Sequence, residues 1–487
     1  MVVLCATILA AVSCQAWADE FDYAASELYE KYQGELEQLA RWCEGRGLAE
    51  QAKTTRGWLS PRSSDKLYVA IFPREVGRPE PPADAPAAVA EWEKRFYQLR
   101  RERANSLEAL ARRAVRNGRA SLAFDLVLSA LRENPDHETI RKLLGYQKHQ
   151  NEWRTLWEIS RLRAGQTWHE QFGWIPKGYV RRYEQGERYY GGRWITADED
   201  AQLHRDIRSG WEVETEHYTI RTNHSLEAGV QLGVKLEQLY LVWKQLFIRY
   251  FATEAQVTAL FDGRARSNWA RLPRHQVVYF RSRDDYNQAL RSAFPNIEMS
   301  IGVYVDSTRR AYFFAGEKSD RRTLYHEATH QLFHESRPVA PDVGLRSNFW
   351  IVEGIALYME SLHEDDGFYV LGGFDDLRML AARYRLLHDD FYVPLADLAA
   401  MGREAIQTHP RIATIYSQAA GLTHFLISHE AGRYRDALVA YLSAVYSGRA
   451  DAGTLARLSG ASYADLDRQY RALIEKAGMP ELVGNEQ

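Results

Sequence analysis

The 487-residue sequence predicts an α+β protein, mainly helical. It reads as a helical N-terminal region, a short aromatic module, and a C-terminal domain whose β-rich lobe precedes a helical lobe. Three observations predict this. Residues 20–165 are rich in Leu, Ala, Glu and Arg at helical spacing, with little strand-like alternation. From Trp211 alternating segments appear, as in EHYTIRTN at 216–223. After Trp350 the pattern is again almost wholly helical. With 45% hydrophobic residues the chain is long enough for two or three cores.

In chain order, residues 1–18 read as a signal peptide. Val2–Val12 is apolar but too short to span a bilayer, and Ala16-Trp17-Ala18 offers a cleavage site before Asp19-Glu20. A basic leader is missing, and lipid attachment at Cys14 is the alternative processing route. Either route predicts an exported protein. Only Cys43 then remains, which leaves no intrachain disulfide and no cysteine metal site. A net charge of −3 with pI near 6.6 gives no footprint for nucleic acid. No later apolar stretch has the length of a transmembrane helix.

Residues 19–165 form the predicted helical region, interrupted by a loop or linker, PREVGRPEPPADAP, at 73–86. Within it ASLAFDLVLSALRENPDH, at 120–137, resembles the second helix of a tetratricopeptide unit, down to the closing Pro135. One such unit makes a helical hairpin rather than a solenoid, and it is a candidate docking surface for a protein partner. Residues 166–212 are a connecting module punctuated by Trp, Gly and Tyr. Tyr190-Gly191-Gly192 before Trp194 echoes Leu144-Gly145-Tyr146 before Trp153, a pattern that reads as aromatic core filling.

Residues 213–480 form the last predicted domain. Strands are expected at 216–223, 276–281, 302–305 and 310–314, and helices at 225–250 and 282–292. A further helix, capped by Ser319 or Asp320, carries Leu-Tyr-His-Glu-Ala-Thr-His at 324–330. Residues i and i+4 share a helix face, so His326 and His330 can reach one ion. Glu327 lies beside that face, placed to hold a metal-associated water. With 15 His in the chain and Glu at roughly 7%, this pattern arises by accident about 0.03 times. His-Glu also occurs at His137, His169, His334, His363 and His429, never with a second His four residues on.

A catalytic zinc takes three protein ligands. WIVEGIALYME, at 350–360, follows the cap candidates Ser347 and Asn348. Glu353, Ala356, Leu357 and Glu360 fall on one face, apolar apart from the two carboxylates. A carboxylate on a core-facing stripe is costly unless it is paired or binds a metal. Glu353 is therefore the expected third ligand, and Glu360 the partner of a ligating imidazole N–H. Gly354 and Ala356 would let the two helices approach closely.

HEATH followed by WIVEGIA resembles the gluzincin metallopeptidases, in particular the aminopeptidase N-like branch, over residues 213–480. It also suggests an uncharacterised secreted family of such proteins. The resemblance implies a zincin-like fold, one Zn2+ per chain, and a peptide or protein substrate. It further implies a transition-state tyrosine, matched by Tyr416, 63 residues after Glu353; a core tyrosine opening a helix is the other reading. One departure is plain. The Gly-x-Met-Glu-Asn edge strand of the aminopeptidases is replaced by Ser300-Ile301-Gly302-Val303-Tyr304-Val305-Asp306. The strand survives as a pattern, but the acidic anchor for a substrate amino group does not, unless Asp306, otherwise a turn residue, supplies it.

The expectation is an exported zinc metallopeptidase, acting as an endopeptidase, with Glu327 as general base and Tyr416 holding the oxyanion. The alternative is a non-catalytic envelope protein that keeps a gluzincin fold for binding. His334 lies past the metal on the drifting helix face, and the sequence does not place His424.

Overall fold

A computed structural model describes residues 24–59, 62–76, 86–264, 273–316 and 321–480. The signal peptide with Cys14 and Ala18, the caps Ser319 and Asp320, and residues 77–85 of the 73–86 loop lie outside the described residues. The fold is α+β, largely helical with small sheets, and the chain divides into two compact units.

The first unit comprises Met1–Ser63, Val69–Arg154 and Thr253–Asn268. Its centre is a helical hairpin. The helix Ala87–Arg116 buries Phe96, Ala104, Leu107, Leu110, Ala111 and Ala114, and ends on the basic turn Arg113 and Arg116, which suits the negative end of its dipole. Gly118, at φ +73°, turns the chain into Ala120–Glu133. That helix buries Ala123, Val127, Ala130 and Leu131 and stops before Pro135, which disfavours helical backbone at the preceding residue. Buried Glu133 accepts from the Tyr32 hydroxyl and from Trp58 Nε1, both at 2.9 Å. The chain re-enters this unit from Thr253, and in the described residues 253–264 Phe261 meets Phe124 edge-on with ring centroids 5.6 Å apart. That return follows from tertiary packing and has no periodic signature. The region is less purely helical than expected, since short strands occur at Lys66–Ala70, Tyr146–His149 and Glu152–Thr155.

The echo among Trp, Gly and Tyr is a tandem motif. Gly145, Gly165 and Gly186, all at positive φ, each open a two-stranded hairpin: Tyr146–His149 with Glu152–Thr155, Gln166–His169 with Gly173–Pro176, and Glu187–Tyr190 with Arg193–Thr196. A short helix follows each, and Trp153, Trp174 and Trp194 recur on the second strands. Thr155 with Glu158, and Thr196 with Glu199, close capping boxes.

The second unit, Ser64–Tyr68, Thr155–Ala252 and Trp269–Gln487, contains a five-stranded sheet. Its order is Val303–Val305, Arg310–Phe314, His275–Phe280, Tyr218–Thr222, Trp211–Glu214. The three inner strands are parallel (Gln276 opposite Arg310, His275 opposite Tyr218), and both outer pairings are antiparallel. Val303–Val305 is therefore an edge strand. After the helix Phe349–Met359 comes one hairpin, His363–Asp365 with Phe368–Gly372, and then helices to the end of the described chain.

His424 lies in the core of this unit, 1% exposed. Its ring faces Tyr358 and Phe374, and a Cβ built on Gly372 would come within 2.8 Å of Nδ1. Neither ring nitrogen has a hydrogen-bond partner among the described residues. Burial pushes the imidazole down to about 4, against the weaker upward pull of Asp65 and Asp376. A folded value below the unfolded ~6.5 means stability present above pH 6.5 and lost as pH falls towards 4. At pH 5 this loss is roughly 2 kcal/mol. His424→Leu should lose that much less between pH 7 and pH 5 in denaturant titrations. Equal losses in parent and variant would remove His424 as the source.

Candidate metal centre

The helix Arg321–Glu335 carries His326, Glu327 and His330, and Phe349–Met359 carries Glu353. Among the described residues these supply the one set of three side chains that could hold a metal ion: His326, His330 and Glu353. The two Nε2 atoms face each other at 3.1 Å. Glu353 Oε2 is 3.6 Å from His326 Nε2, and Oε1 is 3.8 Å from His330 Nε2. Ligand bonds of 2.0–2.2 Å around a tetrahedral ion give ligand separations of roughly 3.3–3.6 Å; the observed 3.1, 3.6 and 3.8 Å bracket that range, within a few tenths of an ångström of it. Each side chain is only 13–15% exposed.

Electrostatics favour a cation at this point. Burial pushes His330 down to about 3, with His326 adding to the effect against Glu353. That keeps the imidazole neutral, as a ligand must be. For His326, burial is outweighed by the carboxylates of Glu353 and Glu360 and by the charge of Glu327, which together push it up to about 10. A field that favours a proton there favours positive charge in general, as a metal-ligand set requires. Burial raises the Glu353 carboxyl, but His326, His330 and Arg403 outweigh it and hold it below the usual carboxylate range.

Glu360 orients the site. His326 Nδ1 lies 2.9 Å from Glu360 Oε1, and donation there leaves the Nε2 lone pair for the metal. Arg378 holds the same carboxylate through Nε at 2.8 Å and Nη2 at 2.9 Å. Arg322 sits 3.5 Å from Glu360 and pairs with Asp376 at 2.8 Å. Glu360, 3% exposed, is thus a buried charge with its partners supplied.

Glu327 stands beside the triad and accepts the backbone N–H of Tyr304 at 2.9 Å. Burial pushes it up to about 7, against the opposing pull of His326 and that N–H. Glu335, two turns along the same helix, acts on Tyr304 as well: burial and that carboxylate push the Tyr304 hydroxyl up. Glu335 in turn holds His275 Nδ1 at 2.7 Å and Gln331 Nε2 at 3.1 Å. Tyr304, Glu335, His275, Arg378 and Arg322 were not singled out from the sequence. Glu335 carried a readable signal, being a second carboxylate on the buried stripe of the ligand helix.

Tyr416 belongs to the helix Ile412–Ser428, and burial together with the nearby Glu353 carboxylate pushes its hydroxyl up. Tyr446, fully buried, also lies in the field of Glu353, and its hydroxyl has no partner among the described residues. His334 packs its ring against Tyr304 and Tyr446, at 5.6 and 5.2 Å, rather than joining the triad. Asp306 opens the turn between the edge strand and Arg310–Phe314, where its carboxylate accepts the Ser307 N–H at 2.7 Å.

Two local expectations need correction. Asn348 occupies the N-cap position of the Glu353 helix but caps nothing. It sits at φ +60°, and its side chain accepts from Tyr441 at 2.6 Å and donates to Asp451 O at 3.2 Å. Asn tolerates this left-handed backbone better than most residues. Gly354 serves a different helix pair from the one expected. A Cβ there would meet Thr423 Oγ1 at 2.5 Å and Ala419 O at 2.9 Å, so it admits the helix that carries Tyr416.

The fold and site together define an α+β protein with a His-His-Glu set beside a carboxylate that burial pushes up to about 7. No family model, curated protein or solved structure matches the chain.

Proposed function

We propose that this chain is a zinc-dependent peptidase of the gluzincin kind, with a zincin-like catalytic domain. The observation that carries the reading is the convergence of His326, His330 and Glu353 at 3.1–3.8 Å with Glu327 alongside. Two imidazoles and one carboxylate suit zinc better than magnesium or calcium. Zinc in such a site supplies Lewis acidity and a nucleophilic water at neutral pH. Glu327 takes the proton of the attacking water and delivers it to the leaving amine; an affinity near neutrality suits both halves of that task. The Tyr304 N–H keeps the carboxylate aimed. Tyr416, in the field of Glu353, offers its hydroxyl to the oxyanion that develops on the scissile carbonyl. Export, and docking of a protein partner on the tetratricopeptide-like helical region, complete the proposal.

Asp306 spends one carboxylate oxygen on the Ser307 N–H in its turn, and the edge strand lacks the acidic anchor of the aminopeptidases, which supports internal cleavage because a buried substrate ammonium group needs a partner. A peptide-library digest of the zinc-loaded protein, with and without chelator, tests the reading. N-acetylated and free forms of one peptide should be cut within about tenfold of each other, under ~1.4 kcal/mol of discrimination. A preference for free termini beyond roughly a hundredfold (~2.7 kcal/mol), abolished by Asp306→Asn, would restore an aminopeptidase. Zinc binding without any cleavage would instead favour the non-catalytic alternative.

A further inference from the structure

One positive side chain whose charge reaches the triad has no carboxylate partner among the described residues. Arg403, exposed, opens the short helix Arg403–Gln407. Its backbone is clamped to the segment that leads into the Glu353 helix. The Arg403 N–H donates to Gly344 O at 2.9 Å, and a Cβ on Gly402 would come within 2.2 Å of Leu345 O. No other residue fits such an approach without moving the backbone. The guanidinium lies 5.4 Å from the ring centroid of Phe349, and Nη2 reaches Val343 O only at 3.4 Å. Phe349 is one helical turn before Glu353 and shares its face, which directs the guanidinium to the metal side of that helix. Its charge accordingly acts on Glu353, His330, His334 and Tyr416.

The other arginines at the site are committed. Arg378 and Arg322 are paired with Glu360 and Asp376. Arg403 pairs with no carboxylate among the described residues. A guanidinium is a rigid, always-charged fork that matches a carboxylate with two parallel hydrogen bonds. Fixed at its backbone, and with only the Val343 carbonyl at its tip among the described residues, it is preorganised for a ligand that supplies the carboxylate.

We propose that Arg403 is a specificity residue that receives a carboxylate of the substrate, so that peptides carrying a carboxylate close to the scissile bond are the preferred class. The proposal rests on the peptidase reading and adds the substrate chemistry to it. The carboxylate comes either from a free C-terminus or from an Asp or Glu side chain, and the two sources are separated by the peptides used.

The test measures binding rather than turnover. Full-length, zinc-loaded protein carrying Glu327→Gln is titrated with three N-acetylated fluorescent peptides of one length: a neutral amide, the same peptide with a free C-terminus, and an amide with one Glu stepped along the sequence. One or both carboxylate series should bind ~10-fold or more tighter than the neutral amide. Which series does so identifies the source. Adding Arg403→Gln should bring the carboxylate peptides down to the level of the neutral amide in that variant, and Arg403→Lys should restore part of the preference. Zinc content and melting temperature, measured on each variant, show that the metal and fold are intact. A carboxylate preference that is absent, or that survives Arg403→Gln, overturns the role of Arg403. If the parent nonetheless cleaves the neutral amide, the peptidase reading stands without it. If no peptide is bound by the Glu327→Gln protein or cut by the parent, both fall.

Discussion

A Glu327→Gln variant is expected to keep its fold and its metal while peptide hydrolysis falls by roughly 10²-fold or more. The amide matches the carboxylate in shape, and its oxygen can still accept the Tyr304 N–H that Glu327 accepts at 2.9 Å. The edge strand therefore stays in place. The ligands His326, His330 and Glu353 are untouched, so zinc content should equal that of the parent. What disappears is the ability to take a proton, because an amide is not a base at any pH the protein survives. Removing a buried charge also removes a desolvation cost, so thermal stability should not drop. Steady-state kinetics, metal analysis and melting curves on the same preparation read all three quantities. Hydrolysis near the parental rate would mean that Glu327 is not the base, or that the activity belongs to a contaminant.

His330→Ala should abolish stoichiometric zinc. The parent is expected to hold one zinc per chain, and since a ligand that binds only the folded state stabilises it by mass action, chelator should lower the parental melting temperature. The variant loses one of three ligands, which leaves His326, oriented by Glu360 at 2.9 Å, and Glu353. Its melting temperature should then ignore both zinc and chelator. Truncation also relieves the apposition of two Nε2 atoms at 3.1 Å, so the metal-free variant should fold no worse than the metal-free parent. Full zinc occupancy in His330→Ala would dismiss the triad.

The residues of the triad were legible because their placement is local or nearly so. An i, i+4 pair is set by helix geometry alone, and Glu353 and Glu360 stand out as carboxylates where the helix period demands apolar side chains. The strands were legible for the same reason, as alternation seen at 216–223 emerges as Tyr218–Thr222 and at 276–281 as His275–Phe280. Errors arose where a residue's role depends on a distant partner. Asn348 has the composition of a cap, yet Tyr441 and Asp451 take its side chain. Gly354 reads as a spacer for the ligand helix and instead faces Thr423.

By itself the sequence determined the mainly helical α+β class, the face on which two imidazoles lie, and the two carboxylates that belong with them. These are consequences of backbone periods and of the cost of burying charge, which act within a few turns of chain. Only the tertiary structure decided that the Tyr304 N–H holds Glu327, that Arg378 pairs with Glu360, that residues 253–264 return to the first unit, and that Arg403 has no carboxylate partner among the described residues. Each of these joins residues many positions apart. Which chain segments meet there is fixed by the packing of whole elements, and no period within any single element records it.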